Sequence, residues 1–93
     1  MSLKETIEAK LSEAFIPSTL EIEDESWKHA SHKQSPGGES HFSVLIVSDT
    51  FEGKSIVMRH KAVYETLKGE LAGPLHALSL KTLTEKEFNS SIL

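Results

Sequence analysis

The stretch from Thr50 to Leu80, TFEGKSIVMRHKAVYETLKGELAGPLHALSL, constrains the fold more than any other part of the chain. It joins a turn, a long helical pattern, a Gly-Pro break and an alternating strand without interruption. Asp49 to Gly53 is turn chemistry, with Gly53 free to take a positive φ. Ser55 then caps a helix whose apolar stripe is Ile56, Val57, Val63, Tyr64 and Leu67, while Arg59, His60 and Lys61 form a short cationic cluster. The stripe shifts and Gly69 weakens a continuous helix, which predicts a bend around Tyr64 to Leu67 and two short helices. Gly73-Pro74 ends the helical region, and Leu75 to Thr82 alternates as a third strand.

The residues before this stretch supply what it packs on. Ser2 to Phe15 spaces Leu3, Ile7, Leu11 and Ala14/Phe15 three or four apart among charged residues, an amphipathic helix with Ser2 and Glu5 at capping-box spacing and Pro17 as its stop. Thr19 to Glu25 alternates Leu20 and Ile22 with Glu21, Glu23 and Glu25, a half-buried strand with an acidic outer face. Ser40 to Ser48 is the strongest strand, with Phe42, Val44 and Ile46 on one side and an opposite side that grows apolar along its length, so it is expected at the centre of the sheet. The two strands are expected to run antiparallel. Ser26 to Glu39 between them is long, polar and punctuated by Gly and Pro, and it holds Trp27, His29 and His32. After the third strand, Thr84 and Glu87 repeat the capping-box spacing and open a short helix carrying Phe88. The order is α-β-β-α-α-β-α, a two-layer α+β sandwich with a three-stranded mixed sheet, in a chain of 93 residues that has room for one domain.

Composition narrows the chemistry. With no cysteine and five histidines, the chain can offer imidazole but no thiolate to a metal, and any sulfur in such a site comes from a partner. A net charge of -4 argues against a protein built on contacts with the phosphate backbone. There is no Gly-rich phosphate loop, no nucleophile elbow and no paired carboxylates, so no catalytic residue is assigned. No apolar run approaches the roughly 20 residues of a membrane span. The N-terminus lacks signal-peptide and transit patterns, so a cytoplasmic or mitochondrial-matrix protein without membrane attachment is expected. The spacing of His29 and His32 suits two ligands on a turn and equally suits two solvated loop side chains. His76, just after Gly-Pro, reads either as a ligand or as a satisfied strand-end imidazole, and His60 as a helix-surface or packing residue.

Phe51-x-Gly53, then Arg59-His60-Lys61, then Gly73-Pro74-x-His76-Ala77-Leu78 resembles the signature of the BolA family, and the resemblance covers nearly the whole chain from the first helix to Phe88. It implies a class II KH-like fold in the element order read above. It also implies partnership with a monothiol glutaredoxin. The BolA-like protein is then a monomer alone and a heterodimer with its partner, and a [2Fe–2S] cluster is shared between them. The glutaredoxin and its glutathione would supply sulfur ligands, and this chain would supply His76 and, from the loop, His29, with His32 as the alternative. Arg59, His60 and Lys61 would face a partner or a nucleic acid. No GXXG stands between Ser55 and Leu71, so the KH mode of clamping nucleic acid is not indicated.

Overall fold

The computed structural model describes residues 2–25, 41–73 and 75–92. Helix α1 (Leu3–Phe15) opens on the expected box: the Ser2 hydroxyl accepts the Glu5 backbone N–H at 3.1 Å, and the Glu5 carboxylate accepts the Ser2 N–H at 2.9 Å. Two N–H groups that a helix start leaves open are thereby satisfied. Ile7, Leu11 and Phe15, four residues apart, form its buried stripe. The helix closes on Ile16 in the left-handed region at φ 45°, a conformation that costs a β-branched residue about 1–2 kcal/mol. Ser18 N–H then bonds Val47 O and turns the chain into the sheet.

Strands β1 (Thr19–Asp24), β2 (His41–Val47) and β3 (Ala77–Leu83) lie in the order β1-β2-β3, so β2 is central as its sequence predicts. β1 pairs antiparallel with β2, Thr19 opposite Val47 and Asp24 opposite Phe42. β3 pairs parallel with β2, His41 opposite Ala77 and Val47 opposite Leu83, a geometry that the helical crossover between them permits. Phe42, Val44 and Ile46 are buried on one face, where they join Ile7, Leu11, Phe15, Phe51, Val63, Leu67 and Leu75 in one hydrophobic cluster. The opposite face is an open trough lined by Glu21, Glu23, Ser43, Leu45, Ser79 and Lys81. β3 starts two residues later than its alternation suggests and runs on to Leu83, so Leu75 and His76 form its approach.

Between β2 and β3 the chain makes a single 3₁₀ turn, Asp49–Phe51, capped by Ser48, and passes Gly53 at φ 76° as expected for the turn glycine. Helix α2 (Ile56–Thr66) begins with the Ser55 hydroxyl accepting the Met58 N–H, and α3 (Lys68–Leu71) follows after a break at Leu67. The bend is therefore where the weakened pattern places it. The stripe is not. Only Val63 and Leu67 of the five expected residues are buried, and the third buried position of the face is Arg59; Ile56, Val57, Met58 and Tyr64 are exposed. Helix α4 (Glu85–Ile92) follows β3.

Thr82, 2% exposed, carries a hydroxyl with no hydrogen-bond partner among the described residues. An orphaned buried hydroxyl costs roughly 1–3 kcal/mol, and valine has the same shape and suits a strand. Thr82→Val is expected to leave the melting temperature unchanged or to raise it by a few degrees for about 1 kcal/mol gained. A clear fall in thermal unfolding would show that the hydroxyl is satisfied in solution.

Candidate functional site

Among the described residues, His41 and His76 lie at the same end of the sheet. Because β2 and β3 are parallel and start level with each other, His41 lies opposite Ala77, the residue after His76. The chain that leaves β1 at Asp24 and returns at His41 is rooted at this same end, where Glu25 N–H bonds His41 O at 2.8 Å. Trp27, His29 and His32 belong to that connection and lie outside the described residues, as does Pro74.

His76 is exposed but its backbone position is held. Leu75, beside it, is 1% exposed and sits in the core, and its N–H bonds Glu70 O at 2.9 Å while Gly73 N–H bonds the same carbonyl at 3.1 Å. The Glu70 carboxylate is gripped in turn by Lys10 of α1 at 2.7 Å, and this hydrogen bond holds its pKa below the usual carboxylate value. The α3–β3 joint therefore presents an imidazole from a braced backbone. His76 makes no hydrogen bond or ion pair with the other described residues. No group of three or more His, Asp or Glu side chains able to hold a metal ion occurs among them. The described residues offer single ligands at this end, not a closed site.

The Arg59-His60-Lys61 cluster divides. Arg59 is 5% exposed and turned inward, a correction to its expected place on the surface. Its Nε donates to Lys54 O at 2.9 Å, Nη1 donates to Thr82 O at 3.0 Å, and Nη1 and Nη2 grip Glu87 Oε1 and Oε2 at 2.6 and 3.0 Å. The guanidinium also stands 5.9 Å from the centre of the Phe51 ring, which packs on Phe15. Five donors in a rigid fork suit this task, and with them the residue joins the start of α2, the end of β3 and the first turn of α4. His60 is half-buried and meets Tyr64 edge to face at 6.5 Å, and Lys61 is exposed.

Glu87 closes this network. It completes the expected capping box, its Oε1 accepting the Thr84 N–H and its own N–H donating to the Thr84 hydroxyl. The Arg59 bond first, and the Thr84 N–H second, pull its pKa from 4.5 down to about 2. The folded protein thus binds this proton less readily than the unfolded chain, so stability is fully present above pH 4.5 and is lost as pH falls toward 2. Melting temperature is expected to fall steeply across that window, and Glu87→Gln should flatten the fall while lowering stability at neutral pH. An unchanged acid slope in the variant would show that other carboxylates carry it.

A family model for BolA-like proteins matches residues 11–87. The chain belongs to the BolA-like family. It is 47% identical over 88 residues to the DNA-binding transcriptional regulator BolA of Escherichia coli (strain K12), covering 95% of this chain and 81% of that protein. Among solved structures it is similar to the BolA domain of SufE1 from Arabidopsis thaliana, with TM-score 0.84, 45% identity and coverage of 94% and 96%. It is also similar to the solution structure of BolA1 protein from Mus musculus, with TM-score 0.81, 40% identity and coverage of 97% and 71%. The α+β architecture with a mixed three-stranded sheet is that of these BolA structures. No helix among the described residues of this BolA-like chain is long and apolar enough to cross a membrane.

Two features escaped the sequence reading. His41, at the start of the strand expected from Ser40 to Ser48, carries no signal of its own in the sequence, and only the parallel register of β2 and β3 sets it beside the residue after His76. The helical connection between the two strands was the available signal, since such crossovers join parallel neighbours. Glu87 was recognised only as a cap, because its second partner lies 28 residues away.

Proposed function

We propose that this BolA-like chain is a non-catalytic adaptor that pairs with a monothiol glutaredoxin and co-ligates a [2Fe–2S] cluster, in iron–sulfur cluster maturation or iron homeostasis. The observation that carries this reading is the exposed His76 imidazole at the end of the sheet where the His29- and His32-bearing connection is rooted. An accessible imidazole with no partner among the described residues suits a terminal iron ligand, and a chain without cysteine leaves the sulfur ligands to glutaredoxin and glutathione. His76 and one loop imidazole, His29 or in its place His32, would hold the cluster from this side. Imidazole ligation by these residues in place of thiolate would raise the potential of such a cluster. Mixing the protein anaerobically with a monothiol glutaredoxin, ferric iron, sulfide and glutathione is expected to give a coloured 1:1 heterodimer on size exclusion. Elution of colourless protein apart from a coloured glutaredoxin homodimer would count against the reading.

A second reading, a nucleic-acid-binding regulator, is favoured by the name of the Escherichia coli relative. Arg59 is committed to Glu87 and two carbonyls, so within the Arg-His-Lys cluster Lys61 is the cation left for phosphate. That reading predicts a mobility shift with duplex DNA that weakens with salt and in Lys61→Ala. No shift at moderate salt would remove it.

A further inference from the structure

Apart from Ile16 after α1, the large apolar side chains left in solvent among the described residues gather on α2. Ile56, Val57 and Met58 are 52%, 68% and 55% exposed and Tyr64 is 40% exposed, although the first three occupy one helical turn. For Val57, Met58 and Tyr64 the cause is Arg59: its bonds to Lys54 O, Thr82 O and Glu87 fix the rotation of the helix so that Arg59, Val63 and Leu67 face the core, while Ile56, on the Arg59 side, is exposed at the helix start. The apolar first turn has nothing to cover it among the described residues.

Charge is segregated on the same element. Residues 54–68 hold four of the chain's ten Lys and Arg and one of its fourteen Asp and Glu, in a protein of net charge -4. Within this segment Arg59 is neutralised by Glu87, and Lys68 pairs with Glu65 at 3.1 Å. Lys54 and Lys61 rim a hollow of about 320 Å³ whose other lining residues are Met58, Ala62 and Glu65. An apolar floor between two lysines is complementary to a surface that offers aliphatic anchors flanked by carboxylates.

The position matters as well. α2 leaves the sheet from the Val47 end, and Arg59, next to the exposed turn, bonds the strand at Thr82. Thr82 is six residues along β3 from His76, or about 20 Å at roughly 3.3 Å per residue. The exposed turn therefore lies at the pole of the molecule away from His76.

We infer that this face of α2 is a docking surface for an acidic amphipathic helix of a partner protein, separate from the His76 end and able to be occupied at the same time. Such a helix would place aliphatic residues at i and i+4 on Val57 and Met58 and carboxylates toward Lys54 and Lys61. The acidic remainder of this chain repels nucleic acid, and Val57 and Met58, which flank Lys54 and Lys61 on the face, offer phosphate nothing. The inference does not rest on cluster binding, since it uses none of the histidines.

The test uses the full isotope-labelled chain and a synthetic 16-residue helical peptide with leucine at i, i+4 spacing and glutamate elsewhere. A scrambled peptide of the same composition, a single-stranded oligonucleotide and the protein's own dilution series serve as comparisons. Saturable amide shifts confined to α2 and its flanking turn are expected with the helical peptide. They should be at least tenfold weaker with the scrambled one, or with Val57→Asp or Lys61→Glu in the protein. Both side chains are exposed, so the variants should melt with wild-type cooperativity, and the amides of residues 75–79 should stay unmoved. Shifts with the oligonucleotide alone would overturn the proposal in favour of phosphate recognition. Concentration-dependent association abolished by Val57→Asp would overturn it in favour of a second copy, and no saturable shift with any probe would overturn it outright.

Discussion

Arg59→Ala is expected to be among the most damaging substitutions in the chain, lowering stability by about 2–4 kcal/mol and the melting temperature by more than about 10 °C. The reason is the number of groups it strands. Lys54 O and Thr82 O would lose their charged donor, α4 would lose the clasp on Glu87, and a cavity would open beneath the buried Phe51 ring. Arg59→Lys should recover little, because an ammonium cannot grip both Glu87 oxygens while also reaching two carbonyls on different elements. Since the two residues share one network, the loss in Arg59→Ala/Glu87→Ala should be smaller than the sum of the single losses. Chemical denaturation of the four proteins checks this. A loss below about 1 kcal/mol in Arg59→Ala would assign the residue to the surface, where an exposed pair is worth that little.

Arg59 also shows where sequence reading reaches its limit. The local signals held: the Ser2–Glu5 and Thr84–Glu87 boxes, the Ser55 cap, Gly53 in the turn and the break near Leu67 all depend on residues within a few positions of each other. The central place of β2 was legible from its two-sided apolar content. What failed was the rotation of α2 about its axis. Apolar periodicity assumes that the most apolar face turns inward, but here an arginine with partners 23 and 28 residues ahead outweighs Val57 and Tyr64. Those partners sit on β3 and α4, and no window along α2 contains them. The candidate site was legible in part for the same reason. The motif residues pointed to His76, whereas the neighbourhood of His41 and the root of the His29 connection depends on the register of β1, β2 and β3.

His76→Ala carries the other large expected effect, and it falls on the cluster, not on the fold. The side chain is exposed and makes no bond to another described residue, so the variant should melt like the wild type. Removing one terminal ligand from a shared cluster should destroy the heterodimer's spectrum while leaving the glutaredoxin able to assemble its own. The loop ligand should behave likewise: His29→Ala is expected to alter the spectrum strongly, and if His32 holds that position the two variants exchange their effects.

The most direct measurement is therefore the visible absorption and circular dichroism of the complex reconstituted anaerobically with a monothiol glutaredoxin. Wild type, His76→Ala, His29→Ala and His32→Ala should be compared side by side. The expected result is a heterodimer spectrum distinct from that of the glutaredoxin homodimer in the wild type, lost in His76→Ala and in one of the two loop variants. Identical spectra for all four proteins would contradict cluster ligation by this chain.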